Sequence, residues 1–187
     1  TDTVQPSFER GTKSENANSG LSKTNAALLA VVYSTVLASL PMDLFQDRAN
    51  YLDHAEAPFE ILVGYAVGGP LTVLFNEPLW FLINAVLSLL LSPEWVVRVI
   101  ILFSPFIAAY FILSSGYKRY LFLILFLFLP QVMRKYTTHL RQGMAISVFM
   151  LGLISGKKSY KLILIYLSSF IHSSFFFVVF VYVIGVV

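Results

Sequence analysis

Residues 95–113 read WVVRVIILFSPFIAAYFIL, and residues 120–133 read YLFLILFLFLPQVM. The first run carries one charge in nineteen positions, and at about 1.5 Å per residue it matches a hydrocarbon layer of about 30 Å. The second carries none. Outward from this pair the same texture recurs at 25–41, 143–155 and 162–187, with polar connectors between. The chain is 57% hydrophobic, 16% aromatic and 12% charged, with 17 Phe and 10 Tyr. Soluble domains carry about 25% charge, which wets their surface. A chain with half of that is not an ordinary soluble enzyme, and it is too apolar for disorder. The composition predicts a bilayer as solvent.

The predicted fold is all-α, a polytopic integral membrane helix bundle. It has five clear spans, 25–41, 95–113, 120–133, 143–155 and 162–183, plus a short apolar pair over 61–92 that forms a hairpin or re-enters. Gly68, Gly69 and Pro70 break the pair's first half, and Asn76 and Glu77 separate it from the second. Residues 1–23 are polar and read as a flexible tail, leaving 24–187 as the transmembrane domain. Residues 42–60 (MDLFQDRANYLDHAEAPFE) read as an acidic loop. Gly64 and Gly68 form a small-residue pair of the kind that packs helices. The chain lacks Cys, begins at Thr1 and ends on the apolar VYVIGVV, so a longer parent protein is expected, with its C-terminal part beyond this sequence.

Charge sets the orientation. Residues 1–60 hold eight of the ten acids, whereas 61–187 hold Glu77 and Glu94 against nine Lys and Arg. With the N-terminus inside and an even number of crossings in 61–92, eight basic residues fall inside and five outside, as the positive-inside rule favours. Segments 42–60 and 134–142 then share the outer side.

The stretch RKYTTHLRQG (134–143) gathers Arg134, Lys135, His139, Arg141 and Gln142 at the mouths of two apolar runs. Guanidinium forks suit a diphosphate through bidentate charge-assisted bonds, and the same residues also suit lipid headgroups by snorkelling. His172, in LSSFIHSSFFF, reads as an ionisable group about 16 Å into a span, facing a cavity or bonded to a neighbouring serine. The acidic segment offers Asp47, Asp53, His54 and Glu56 as bases. His54 with Asp53 and Glu56 supplies metal donors without a recognised metal spacing, so neither metal nor other cofactor is expected.

The order of features is a first span, an acidic DxxNY segment from Asp47 to Tyr51, EPLWFLIN, LRQGMAISVFMLGL, the Lys cluster KKSYK and FIHSS. In this order the chain resembles the EpsG branch of Wzy-type polysaccharide polymerases, integral proteins of the bacterial cytoplasmic membrane. It departs from that pattern before DxxNY, where SLPMDLFQ stands in place of an Arg-Tyr-Gly-like stretch. The resemblance implies glycosyl transfer at the outer face from a polyprenyl-diphosphate-linked glycan, with membrane lipids and other polysaccharide-assembly proteins as partners and no nucleic acid. It implies substrate binding by Arg134, Lys135, Arg141, Gln142 and Tyr51, and a base among His139, His172 and Asp47. The lipid carrier is expected between 120–133 and 143–155. A transporter of lipid-linked glycan, an acyltransferase using an intramembrane histidine and a structural multi-span protein are the competing readings.

The orientation has a direct test in this Cys-free background. Thr138→Cys is expected to react with an impermeant thiol reagent from outside, and Ser159→Cys only from inside. Labelling of Ser159→Cys from outside overturns the orientation.

Overall fold

The computed structural model describes residues 21–45, 47–115 and 120–186. The tail expected over 1–23 therefore lies almost wholly outside the described residues. Helix accounts for 84% of the structure, with no strand among the described residues. In chain order the helices are α1 (Lys23–Ser39), α2 (Asp47–Glu56), α3 (Pro58–Val67), α4 (Pro70–Phe75), α5 (Pro78–Ser88), α6 (Pro93–Leu113), α7 (Tyr120–Leu127), α8 (Pro130–Thr137), α9 (Leu140–Ile154), α10 (Lys158–Ile171) and α11 (Phe175–Val186).

Proline writes much of this segmentation. Pro58, Pro70, Pro78, Pro93 and Pro130 each open a helix at its first turn, where a missing N–H costs nothing and the fixed φ suits the helix. Pro41 follows the end of α1. Pro105 sits inside α6 without ending it.

The scaffold is an antiparallel set. Arg98 Nη1 donates to the Ala38 carbonyl at 2.6 Å, so the start of α6 lies beside the end of α1. Small residues on both, Ala26 and Ala30 against Ala108 and Ala109, are fully buried and allow close approach. Ser147 on α9 donates to the Ser104 carbonyl of α6 at 2.6 Å. The Tyr33 hydroxyl donates to the Leu127 carbonyl at 2.8 Å, closing α7 onto α1. Against α10, Gly152 is so close that a Cβ there would stand 2.9 Å from Ile165 Cγ1. One end of the bundle, the site end below, thus holds 40–57, the start of α6, α8 and the start of α9. The other holds the start of α1, the end of α6 and the α9–α10 turn.

The helix breaks correct several expected boundaries. Residues 42–60 are not a loop but a 3-10 turn (Met42–Leu44), α2 and the opening of α3. Residues 61–92 hold the remainder of α3, then α4 and α5. They leave and return at the site end, since Ser88 donates to the Ala55 carbonyl at 2.6 Å. The run 120–133 splits into α7 and α8, because Pro130 holds Leu129 extended. The run 162–183 is also split. His172 is extended, and α11 folds back along α10, with Phe170 against Phe176 and Lys161 over the Tyr182 ring. Among the described residues, only α6, with 21 residues and mean hydropathy 2.3, is long and apolar enough to cross a membrane alone. Nor does Gly64 act as a packing notch, for nothing lies within 4 Å of a Cβ built there.

The outer surface is apolar on several helices. Leu28, Val32 and Val36 on α1, Leu121, Phe122 and Leu125 on α7, and Phe177, Phe180 and Ile184 on α11 are all exposed.

Gly143 and Gly64 give opposite expectations. A Cβ on Gly143 would collide with the Lys135 carbonyl and stand 2.9 Å from the Tyr136 ring. Gly143→Ala should therefore cost about 1–3 kcal/mol by forcing α8 off α9. Gly64→Ala meets open space and should gain about 0.5–1 kcal/mol from helix propensity. Unfolding in detergent measures both, and a neutral Gly143→Ala would refute the tight contact.

Candidate functional site

The break between α4 and α5 places an acid in the interior. Asn76 caps α4, and Glu77 takes the left-handed conformation at φ +59°, the only non-glycine residue with positive φ among those described. Such backbone is strained for a side-chain-bearing residue and persists only where its surroundings fix it. Here three partners do so. Glu77 Oε2 accepts from Arg141 Nη1 at 2.5 Å, and Oε1 accepts from His172 Nδ1 at 2.5 Å and from the Ser173 amide at 3.2 Å. The Glu77 side chain is 7% exposed, against 38% for Arg141 and 26% for His172.

Helix lengths explain the meeting. Arg141 lies in the first turn of α9, and α9 and α10 have 15 and 14 residues. Two antiparallel helices of about 22 and 21 Å bring the end of α10 back level with the start of α9. His172 thus stands in the α10–α11 turn beside Arg141, rather than midway along a span. Its ring bonds Glu77, not the flanking serines. The Ser168 hydroxyl donates to the Ile165 carbonyl instead. An ionised carboxylate only accepts, so His172 presents an N–H at Nδ1 to Glu77, and Nε2 lies outside that bond.

The other expected residues surround this core. Tyr51 on α2 is buried and lies beside Arg141. Asp47 Oδ2 is 3.7 Å from His139 Nδ1, joining α2 to the α8–α9 link. Lys135 Nζ donates to Gln142 Oε1 at 2.6 Å, so these two expected ligands hold each other. Arg134 is exposed. Segments 42–60 and 134–142 therefore share one end, and every residue expected at the site lies there. No three His, Asp or Glu side chains come together as a metal-binding group among the described residues.

Sequence reasoning missed two participants. Glu77 was read as a separator, although an acid between two apolar runs is itself a signal of an internal partner. His54, expected as a base or a weak metal donor, accepts from the Trp80 indole at Nδ1 (3.2 Å) and meets Tyr51 and Phe81 edge-on. Burial holds its pKa below the usual imidazole 6.5, and the Arg141 charge lowers it further against the pull of Asp53 and Glu77. His139 is lowered too, by partial burial and then by Lys135 and Arg134, against Asp47.

Comparison with known protein families, curated proteins and solved structures finds no match for this chain.

His54 sets a pH expectation. Its folded pKa lies below its unfolded value, so its contribution to stability is complete above about pH 6.5 and is lost as pH falls towards the lowered value. His54→Asn keeps an acceptor for Trp80 but does not titrate. Between pH 8 and 5.5 the wild-type melting temperature should fall a few degrees further than that of the variant. Equal falls would clear His54 of the acid sensitivity.

Proposed function

We propose that the chain is a multi-pass protein of the bacterial cytoplasmic membrane that polymerises glycan from a polyprenyl-diphosphate carrier at its outer face. The observation carrying this reading is the Glu77 carboxylate shared by His172 and Arg141, at the end where Arg134 and Lys135 also lie. That arrangement combines an oriented base with cations suited to a leaving diphosphate.

The membrane setting is supported by the apolar exteriors of α1, α7 and α11, which water would penalise. On this reading five passes run along α1, α6, α7–α8, α9 and α10, with α11 returning along α10 and α3–α5 re-entrant; the α4–α5 break is buried at Glu77. Orientation follows from charge. Over the whole sequence eight basic residues fall on the cytoplasmic side against five on the outer side, with Lys23, Lys157, Lys158 and Lys161 at the end away from the site.

In the reaction, Glu77 holds the His172 tautomer and stabilises the imidazolium. His172 Nε2 takes the proton of an acceptor sugar hydroxyl. The hydroxyl oxygen bonds the anomeric carbon of the donor glycan as the bond from that carbon to the diphosphate oxygen breaks. The diphosphate leaves with the electron pair, and Arg141 and Arg134 neutralise its charge. His139 with Asp47 is the second base available at this end. The first isoprene units of the carrier tail take a groove of about 390 Å³ lined by Leu79, Leu82, Ile83, Val86, Phe103 and Met144. Leu79 and Met144 lie within one helical turn of Glu77 and Arg141. This seat, between α5, α6 and α9, replaces the one expected between 120–133 and 143–155.

Membranes holding the full-length protein, supplied with lipid-linked repeat units, test the reading through glycan chain length. His172→Gln and Glu77→Gln should each lower elongation about 100-fold or more at normal membrane abundance for His172→Gln. Arg141→Lys, which keeps charge but loses the fork, should also shorten the product. Full elongation by His172→Gln removes His172 as base. Transfer of the glycan across the membrane without elongation by the wild type makes the chain a transporter.

A further inference from the structure

The far flank of α1 and α6 carries a second polar cluster, separate from Glu77 and sharing none of its residues. A groove of about 560 Å³ opens there at the site end, with Thr35, Ser39, Glu94, Trp95 and Arg98 on its rim. Arg98 spends Nη1 on the Ala38 carbonyl, and directs Nε (3.0 Å) and Nη2 (2.7 Å) to one oxygen of Glu94, Oε1. The second carboxylate oxygen of Glu94 has no hydrogen-bond partner among the described residues, on a side chain 56% exposed. Arg98 retains N–H capacity, since a guanidinium has five. Trp95 is exposed on the same turn, an amphipathic ring of the kind that sits at headgroup level.

Below this rim the lining is mainly apolar. Thr35 and Leu102 also border a furrow of about 330 Å³ completed by Val31, Ser34, Phe103 and Phe106, with the Ser34 hydroxyl donating to the Val31 carbonyl at 3.0 Å. Positions 99, 102, 103 and 106 form one stripe of α6, so the furrow runs along the helix from the polar rim towards the bundle centre. A polar mouth with one cation and one anion, above a single apolar furrow, has the outline of one amphiphile with a zwitterionic head.

We propose that this groove binds an aminophospholipid of the phosphoethanolamine type, its phosphate on Arg98 and its ammonium on the free oxygen of Glu94, with an acyl chain in the furrow. Charge complementarity selects that occupant. An anionic headgroup would set its phosphate beside Glu94 with no cation of its own to answer the carboxylate. A choline headgroup has a cation but no N–H, so it makes no hydrogen bond to Glu94. The assignment rests on the membrane setting proposed above and is independent of the glycosyl-transfer chemistry.

Native mass spectrometry of the full chain in detergent, titrated with phosphatidylethanolamine, phosphatidylcholine or phosphatidylglycerol of matched acyl chains, tests it. Phosphatidylethanolamine should be retained about threefold better than phosphatidylcholine, a margin fitting a partly exposed charged contact. Glu94→Gln should abolish that preference while leaving the melting temperature unchanged. Equal retention of the two lipids by the wild type overturns the headgroup site alone, as does a preference for phosphatidylglycerol. A chain that fails to enter lipid vesicles overturns the membrane setting and this site with it.

Discussion

The Glu77 carboxylate is where three interruptions of the helical architecture converge. It stands at the α4–α5 break, reaches the first turn of α9 through Arg141, and reaches the α10–α11 turn through His172 and the Ser173 amide. A carboxylate 7% exposed would be costly alone, and loss of either partner would leave a charge with incomplete compensation. The left-handed backbone of Glu77 is held by the same contacts. Removing the acid would therefore release constraints on three segments at once, and the tautomer of His172 with them.

A buried cation fixes the surroundings of that acid. Arg48 is fully buried and donates to the carbonyls of Leu40 and Pro41, beyond the end of α1, and of Thr137 at the end of α8. The Leu40 and Thr137 carbonyls close helices and lack intrahelical partners, whereas the Pro41 carbonyl also accepts from the Leu44 amide, so one guanidinium ties the ends of α1 and α8 together. Burial, with repulsion from Arg98, lowers its pKa to about 10, still well above neutrality, so the charge persists. Arg48 thereby carries α2, with Asp47 and Tyr51, to the connector bearing His139 and Arg141.

Local chemistry was the legible part of the sequence. Apolar runs mark α1, α6 and α9 closely, and Pro70 marks a break, whereas Pro58 and Pro130 open helices that the run lengths alone do not divide. Arg141, His172, His139 and Asp47 stand out by their chemistry and Tyr51 by the resemblance, and the structure brings them to one end. What stayed hidden was pairing at long range. Glu77 and His172 are 95 positions apart, and no periodicity connects them. The break at His172 was masked for a related reason. Neither Gly nor Pro stands there, and Ser173 and Ser174 lie within a run as apolar as any span. Lys135 and Gln142, chosen as ligands, find each other because the Thr138–His139 break folds α8 back on α9.

The separation of Glu77 from its partners also orders events during synthesis. Arg141 is made 64 residues after Glu77, and His172 95 residues after it. At about 5–20 residues per second, the carboxylate waits roughly 3 to 20 seconds for neutralisation, with α5 and α6 already emerging from the ribosome. During that interval the α4–α5 break has no anchor, and the acid stands without its counter-charges. The α3–α5 segment accordingly settles last, after the α10–α11 turn has arrived, although it is translated early. Ribosome stalling or premature termination just before residue 172 would yield a chain whose helices are nearly all present but whose interior acid has Arg141 and neither His172 nor the Ser173 amide as partner.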